Sequence, residues 1–365
     1  MAKRSSSKGG GILAGIIMVI VGIGLLWWNE GRTVNTQKGI NEAKKKFIQV
    51  NSNKIESKNE NKLIATNGKI DLSNSSKLID EDFNISASSA IMKRKVEMYQ
   101  WEEECTTDDN NNEHCTYKKA WNEDLIDSSS FKEGGHTNPS SMPYESKTYL
   151  ASDVRIGEFL LPEKLVSNLS TKKEKTSTEL KEEFSDKIEG YKVEGNMINN
   201  MHNDSPQIGN IRISFLYNDS DAASVLAVQS NNSFTEYITK SGTTIFRIKE
   251  GLHTGDVIIQ DLTNENTTLK WILRLVGTLL VILGIASVFA PLQRLTNFVP
   301  ILGGAVSLIT GLISFVLGLA ISLIVIAIAW FRYRPLLSIC LLAGVAVLII
   351  LLIVLKKKKS NTPSS

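Results

Sequence analysis

The feature that most constrains this chain is the block 269–355, where nearly every residue is apolar or small and charge is confined to a few positions such as Arg274 and Arg294. A bilayer core about 30 Å thick needs on the order of 20 apolar residues per helix, so a block this long holds several crossings. Pro291 lacks the backbone donor that lipid cannot replace, which predicts a first helix over 269–290. A polar connector, 293–297, follows. The next apolar run, 299–330, would be about 48 Å long as one helix, too long to stand upright in the bilayer. With Pro300 and its neighbours in the interface, 303–330 becomes a long tilted span; the alternative is to split it in two. A short polar turn at 331–335 then leads into a last crossing, 336–355.

The beginning of the chain adds a fourth crossing. Lys3, Arg4 and Lys8 precede an apolar run at 11–28, and Trp27, Trp28, Asn29 and Glu30 follow it in place of a small-residue cleavage site. That pattern reads as an uncleaved anchor, with the tryptophans in the interfacial belt. The N-terminal basic cluster and the lysine run 356–359 both favour the cytoplasm, and four crossings satisfy both ends. Arg332 and Arg334 then fall on the outer side, against the bias. The expected order is a cytoplasmic tail (1–10), a transmembrane helix (11–28), an extracytoplasmic or lumenal domain (29–268), three more helices (269–290, 303–330, 336–355) and a basic cytoplasmic tail (356–365). A formal charge of +3 over 365 residues gives no global basic field of the kind nucleic-acid binders carry, and no cofactor motif is present. The partners expected are the bilayer itself and further copies or other membrane proteins, with no nucleic acid and no small-molecule substrate.

The polar middle alternates apolar and polar residues in short runs, which predicts strands. These fall at 63–72, with a turn at Asn67-Gly68, at 92–102, 115–121, 148–161, 191–197, 211–217, 223–229, 234–239 and 243–248. Helical patterns appear at 40–50, after Pro162 and at 257–268, and the charged stretch 172–187 reads as helical or disordered. The fold class is therefore a membrane protein with one N-terminal and three C-terminal transmembrane α-helices around a β-rich α+β domain. Between 92–102 and 115–121 lies an all-polar stretch rich in Asp and Asn, which suits a hairpin turn. With Asn110 at its tip, Cys105 faces Cys115, Trp101 faces Lys119 and Tyr99 faces Trp121.

Several residues could carry chemistry. Cys105 and Cys115 can form a disulfide, remain free thiols, or bind zinc with His114 and Asp108 or Asp109. Asp108, Asp109, Asn110 and Asn112 hint at calcium but lack the glycine and the terminal glutamate of an EF-hand loop. His136 could act as acid, base or ligand with Glu145, or serve with Asn138 in a structural turn ahead of Pro139. In the membrane block, Ser307, Gly311, Ser314, Gly318 and Ser322 recur at helical spacing and form a small-residue packing face; Gly11 and Gly15 notch the first span. Arg274 is placed to snorkel outward. The apolar cores contain no acidic residue, which argues against a proton-coupled transporter.

The segments Trp28-Asn29-Glu30-Gly31-Arg32, Val96-Glu97-Met98-Tyr99-Gln100-Trp101-Glu102 and Gly135-His136-Thr137-Asn138-Pro139-Ser140-Ser141-Met142 resemble signature segments of the LUMA family. So do 208–217, Thr239-Lys240-Ser241-Gly242-Thr243 and Trp330-Phe331-Arg332-Tyr333-Arg334-Pro335-Leu336, in the family's order over nearly the whole chain. The resemblance implies four spans and a large extracytoplasmic or lumenal domain, without catalytic residues. It also implies self-association, and contacts with nuclear-envelope proteins such as emerin and lamins in animal members at the endoplasmic reticulum and inner nuclear membrane. This chain departs from the animal pattern in its short N-terminal tail, its Asn- and Lys-rich domain and its Cys105–Cys115 pair, which suits a bacterial source and a cytoplasmic membrane. The function expected is a non-enzymatic, membrane-organising scaffold. The alternatives are a transporter or channel component and an extracytoplasmic enzyme using the His136 loop.

Overall fold

The computed structural model describes residues 10–107, 113–184, 188–202, 205–296 and 303–331, with six further positions between 339 and 350. Side chains are described from residue 11, with 107, 291–296 and 303–308 left out. Among the described residues five helices are α1 (Gly10–Lys46), α2 (Glu163–Val166), α3 (Ser177–Glu183), α4 (Gly255–Thr296) and α5 (Gly303–Phe331). Among the described residues three of them, α1, α4 and α5, are long and apolar enough to cross a membrane, and a β-rich domain lies between the first and the second in sequence. The chain is thus a membrane protein. Where three C-terminal helices are expected, two are described; fourteen of the twenty residues of the further crossing, 336–355, lie outside the described residues.

Helix lengths differ from the sequence reading in an instructive way. At 37 residues, α1 is about 56 Å long, nearly twice the hydrocarbon core. The helix does not end at Trp28: Asn29 to Lys46 continue it, and the Lys-rich segment expected as a separate helix is its last turns. Likewise α4 starts at Gly255 and runs 42 residues without a break. The expected stop at Pro291 is overturned, because proline so near the end of a helix removes a single i→i−4 bond among residues that are about to leave the helix anyway. The run 303–330 is one helix, α5, not two.

The described residues form two compact units. One joins α1 up to Lys45, the loop Ile238–Thr244, α4 from Ile259 and α5; the other holds Lys46–Tyr237 and Ile245–Ile258.

In the β-rich unit two sheets draw on one apolar core. The first runs in the order Ser233–Thr235, Ala222–Ser230, Leu63–Asp71, Arg155–Ile156 and Phe159–Leu160, with Ile48–Gln49 and Arg247–Glu250 pairing at its sides. The second runs Lys192–Glu194, Met197–Asn199, Ile211–Tyr217, Ile91–Thr107 and Glu113–Asn122, joined by Lys147–Leu150 and Lys173–Glu174. Strand alternation turns Met92, Val96 and Met98 inward to meet Ile211, Ile213 and Phe215, and the other sheet contributes Ile64, Val225 and Ala227. Phe83, Leu165 and Leu180 fill the remainder of that core. The Asn67-Gly68 pair makes no turn. Gly68 sits mid-strand opposite Ala223, and a Cβ there would come within 2.6 Å of Ile156, so the glycine answers a need for close packing. The short helix α3 opens on a capping box formed by Thr176 and Glu179, which satisfies two of its free N–H groups.

In the helical unit, α1 and α4 run antiparallel with glycine facing glycine. A Cβ on Gly15 would lie 2.7 Å from the carbonyl oxygen of Gly284, and one on Gly22 would lie 2.9 Å from that of Gly277. The contact recurs seven residues later on α1 and seven residues earlier on α4, where Asn29 Nδ2 donates to the Lys270 carbonyl at 3.0 Å. One turn further, Asn266 Nδ2 donates to the Thr33 carbonyl at 3.1 Å. Backbones that approach this closely gain dispersion contacts that lipid cannot match. Leu26, Val281, Ile285 and Ile326 form the apolar centre where α5 joins the pair.

Candidate functional site

Above that apolar centre the three helices share a buried polar cluster. Asn29 and Glu30 are both 0% exposed, and Arg274 is 8% exposed. Arg274 Nε donates to Glu30 Oε1 at 2.6 Å and Nη2 to Glu30 Oε2 at 3.0 Å. That fork-to-fork pairing is the strongest geometry available to an arginine and a carboxylate. The indole N–H of Trp330, from α5, also donates to Glu30. The guanidinium lies 4.8 Å from the Trp271 ring centre and 4.9 Å from that of Trp330, so aromatic faces replace water around the charge. A cavity of ≈ 240 Å³ borders this cluster, lined in part by Glu30, Gln37, Asn266, Lys270 and Trp330.

This arrangement corrects the snorkelling expected of Arg274. An arginine flanked by apolar residues on its own helix had a partner on another helix, two residues past the end of the first apolar run. Two charges that would each be costly alone in a low-dielectric setting become one neutral unit. Trp27 and Trp28 on α1 and Trp271 on α4 are all more than half exposed, as tryptophans of an interfacial belt are, within about one turn of the Asn29–Lys270 contact.

The rest of the Asn29-Glu30-Gly31-Arg32 segment serves the same junction. Arg32 donates to Asn266 Oδ1 at 3.2 Å, to Asn29 Oδ1 at 3.3 Å and to Thr33 Oγ1 at 3.2 Å, while a Cβ on Gly31 would meet nothing within 4 Å. Arg332, Arg334 and Pro335 lie outside the described residues.

The small-residue face of α5 is only partly used. Ser314 and Ser322 are buried, and a Cβ on Gly318 would lie 2.5 Å from Ile282 of α4. Gly311, in contrast, faces open space, as does Gly11 on α1. The buried stripe instead continues through Thr310 and Ile326, at steps of four throughout. The Ser307 side chain lies outside the described residues. Ser322 Oγ donates to the Gly318 carbonyl at 2.8 Å, and Ser314 Oγ is buried without a hydrogen-bond partner.

In the β-rich unit the hairpin strands pair with Cys105 opposite Cys115, Trp101 opposite Lys119 and Tyr99 opposite Trp121. Cys105 and Cys115 are joined by a disulfide. Glu103 and the two sulfurs lie within 4.8 Å of one another, but the bond between the sulfurs removes the thiolates that zinc requires. The hairpin tip with Asp108, Asp109, Asn110 and Asn112 lies outside the described residues.

His136 is held by aromatic rings. It stacks on Tyr117 at 3.8 Å between centres and meets Trp101 edge-on at 4.6 Å, with its Nδ1 buried and unpartnered. Tyr117 donates to Glu103 at 2.6 Å, and chiefly through that bond Glu103 stays below the ordinary carboxylate range. The backbone carbonyl of Glu145 accepts from Arg94 Nε at 3.1 Å. Asn138 acts as a piece of strand: its side chain accepts from Trp101 N at 2.7 Å and donates to Trp101 O at 2.9 Å, just where pairing with Ile211–Tyr217 stops at Met98. Pro139 packs near Gly209.

A second buried charge group was not visible in sequence. Asp80, 0% exposed, accepts from Arg94 at 2.9 Å and from Tyr149 at 2.7 Å. Burial and this carboxylate push the Tyr149 phenol well above its ordinary range.

The family model described as Transmembrane protein 43 matches residues 98–335. The chain is similar to Transmembrane protein 43 of Homo sapiens, at 27% identity over 95% of this chain and 90% of that protein. It is 27% identical to the Mus musculus protein over 92% and 87% of the two chains. The Drosophila melanogaster homolog of Transmembrane protein 43 is 29% identical over 90% of each. No solved structure matches. The family model covers well over half of the sequence and bears out the resemblance to LUMA, so the chain belongs to the Transmembrane protein 43 family.

Proposed function

We propose that this protein is a non-enzymatic scaffold that organises neighbours in its membrane. Its helical unit acts as a stiff frame, and its β-rich domain is displayed on the extracytoplasmic or lumenal side with both termini in the cytoplasm. The observation that carries this reading is the closed Glu30–Arg274–Trp330 cluster. Both carboxylate oxygens and two guanidinium nitrogens are consumed inside the bundle. Such a group fixes the register of three helices and commits its own two charges to each other. The partners that suit this reading are lipids, further copies of the chain and other membrane proteins. The compartment is the cytoplasmic membrane in a bacterium, or the endoplasmic reticulum and inner nuclear membrane in a eukaryote.

Proximity labelling from the β-rich domain in the native cell, combined with cross-linking of the full chain in native membranes, tests the proposal. A recurrent set of membrane neighbours or cross-linked copies is expected. A monomer whose neighbours merely follow protein abundance would overturn it.

A transport role has one observation in its favour, the cavity beside Glu30. Ion or solute flux through proteoliposomes that stops in a Glu30→Gln variant would favour that second reading. The enzyme alternative rests on His136, whose ring is clamped by Trp101 and Tyr117 and whose Nδ1, among the described residues, meets no carboxylate orienter of the kind a general base uses.

A further inference from the structure

A groove of ≈ 530 Å³ opens on the helical unit between Trp27, Trp28 and Arg32 of α1 and the loop carrying Ser241, Gly242 and Thr243. We propose that it binds the phosphate of a phospholipid headgroup, with the acyl chains lying along the apolar face of α1.

Three observations support a lipid phosphate. Arg32 is the first. Its hydrogen bonds go to neutral oxygens of Asn266, Asn29 and Thr33, and its Nε is buried without a partner. The nearby carboxylate of Glu30 is already committed to Arg274 and Trp330. Among the described residues no carboxylate forms an ion pair with this guanidinium, and a phosphodiester oxygen is the anion whose geometry suits an arginine fork.

The loop is the second. It is fastened to α1, since Lys240 N donates to Glu42 Oε2 at 2.9 Å and Thr243 Oγ1 to the Asn35 carbonyl at 3.4 Å. Gly39 permits that approach, because a Cβ there would lie 2.5 Å from Thr243. Within the loop, hydroxyls of Thr239, Ser241 and Thr243 form a chain at 3.1 and 3.3 Å. With the Thr243 proton committed to Asn35, Ser241 is the rim hydroxyl that can turn its donor toward an anion, and Lys240 beside it in the loop is exposed.

Depth is the third. Trp27 and Trp28, 54% and 56% exposed, mark the level where hydrocarbon gives way to headgroups. Below them Leu13, Ile16, Ile17 and Ile20 present exposed apolar side chains, a surface for acyl chains. A free anion would use the first two features and gain nothing from the third, which commits the site to a lipid.

The test is native mass spectrometry of the full-length chain in detergent, titrated separately with phosphatidylglycerol, with diacylglycerol of the same chains and with inorganic phosphate. Phosphatidylglycerol should bind one-to-one, at least tenfold more tightly than diacylglycerol, and inorganic phosphate at equal concentration should not displace it. Arg32→Gln should weaken retention about tenfold. Where that variant loses its melting transition, the paired change Ser241→Ala with Thr243→Ala, on the loop alone, decides by the same loss. Equal retention by the folded variants, equal binding of diacylglycerol, or displacement by inorganic phosphate would overturn the assignment.

Discussion

Replacing Glu30 by alanine probes the helix junction directly. The change removes the acceptor of two bonds from Arg274 and one from Trp330, and leaves a guanidinium that is 8% exposed without a counter-charge. Deleting one partner of a buried pair costs about 3–5 kcal/mol, and the lost indole bond adds about 1 kcal/mol. The single variant should therefore lose roughly 4–6 kcal/mol of helical-unit stability. Replacing both partners, Glu30→Leu with Arg274→Met, removes the orphaned charge as well and should cost only about 0–2 kcal/mol. Unfolding of the full chain in mixed micelles, followed by tryptophan fluorescence, reads the difference, since Trp27, Trp28, Trp271 and Trp330 all lie on these helices. A Glu30→Ala loss under about 0.5 kcal/mol, or a double variant whose loss equals the sum of the two single ones, would refute the reasoning.

Other expectations follow from the same geometry. Gly277→Leu drives a side chain into Leu26 and the Gly22 backbone and should cost more than about 3 kcal/mol, beyond ordinary overpacking; Gly311→Leu, which meets nothing within 4 Å, should leave the melting temperature unchanged. Burial, with Tyr144 beside it, pushes the Tyr191 phenol up to about 12. A raised folded value means that the stability linked to this group is complete below pH 10 and is lost as pH rises toward 12. Tyr191→Phe should therefore flatten the alkaline loss of β-rich-unit stability while changing little at pH 7. Reducing the Cys105–Cys115 bond, which closes a loop of sequence separation 10, should cost roughly 2–3 kcal/mol. The cost should appear as faster amide exchange in Glu113–Asn122 and not in the core strand Ile211–Tyr217.

Much of this fold was readable because its rules are local. The hairpin register follows from one polar turn and the period-two alternation on either side of it, and the membrane helices follow from runs of apolar residues. Where local rules were applied alone they misled. Asn67-Gly68 suits a turn in isolation, yet strands on either side of Leu63–Asp71 hold it extended, and Gly68 is required by the nearness of Ile156. Pro291 suits a helix end, yet α4 absorbs it close to its terminus. The junction residues are harder still, because Glu30 and Arg274 are 244 positions apart. A signal was present: an arginine within an apolar block requires a partner, and the acid two residues beyond another apolar run could have been matched to it. The Asp80–Arg94–Tyr149 group left no such signal, since each residue is ordinary within its own strand or loop.

Sidedness of single cysteines is the most direct measurement. In a Cys340→Ser background that keeps the Cys105–Cys115 bond, cysteine is placed at exposed Lys77 in the β-rich domain or at Ser360 in the tail. A membrane-impermeant maleimide should label Lys77→Cys in intact cells or sealed organelles, and from the lumenal face in the latter case. Ser360→Cys should react only from the cytoplasmic face. Labelling of both positions from the same side would contradict the four-crossing frame and the scaffold built on it.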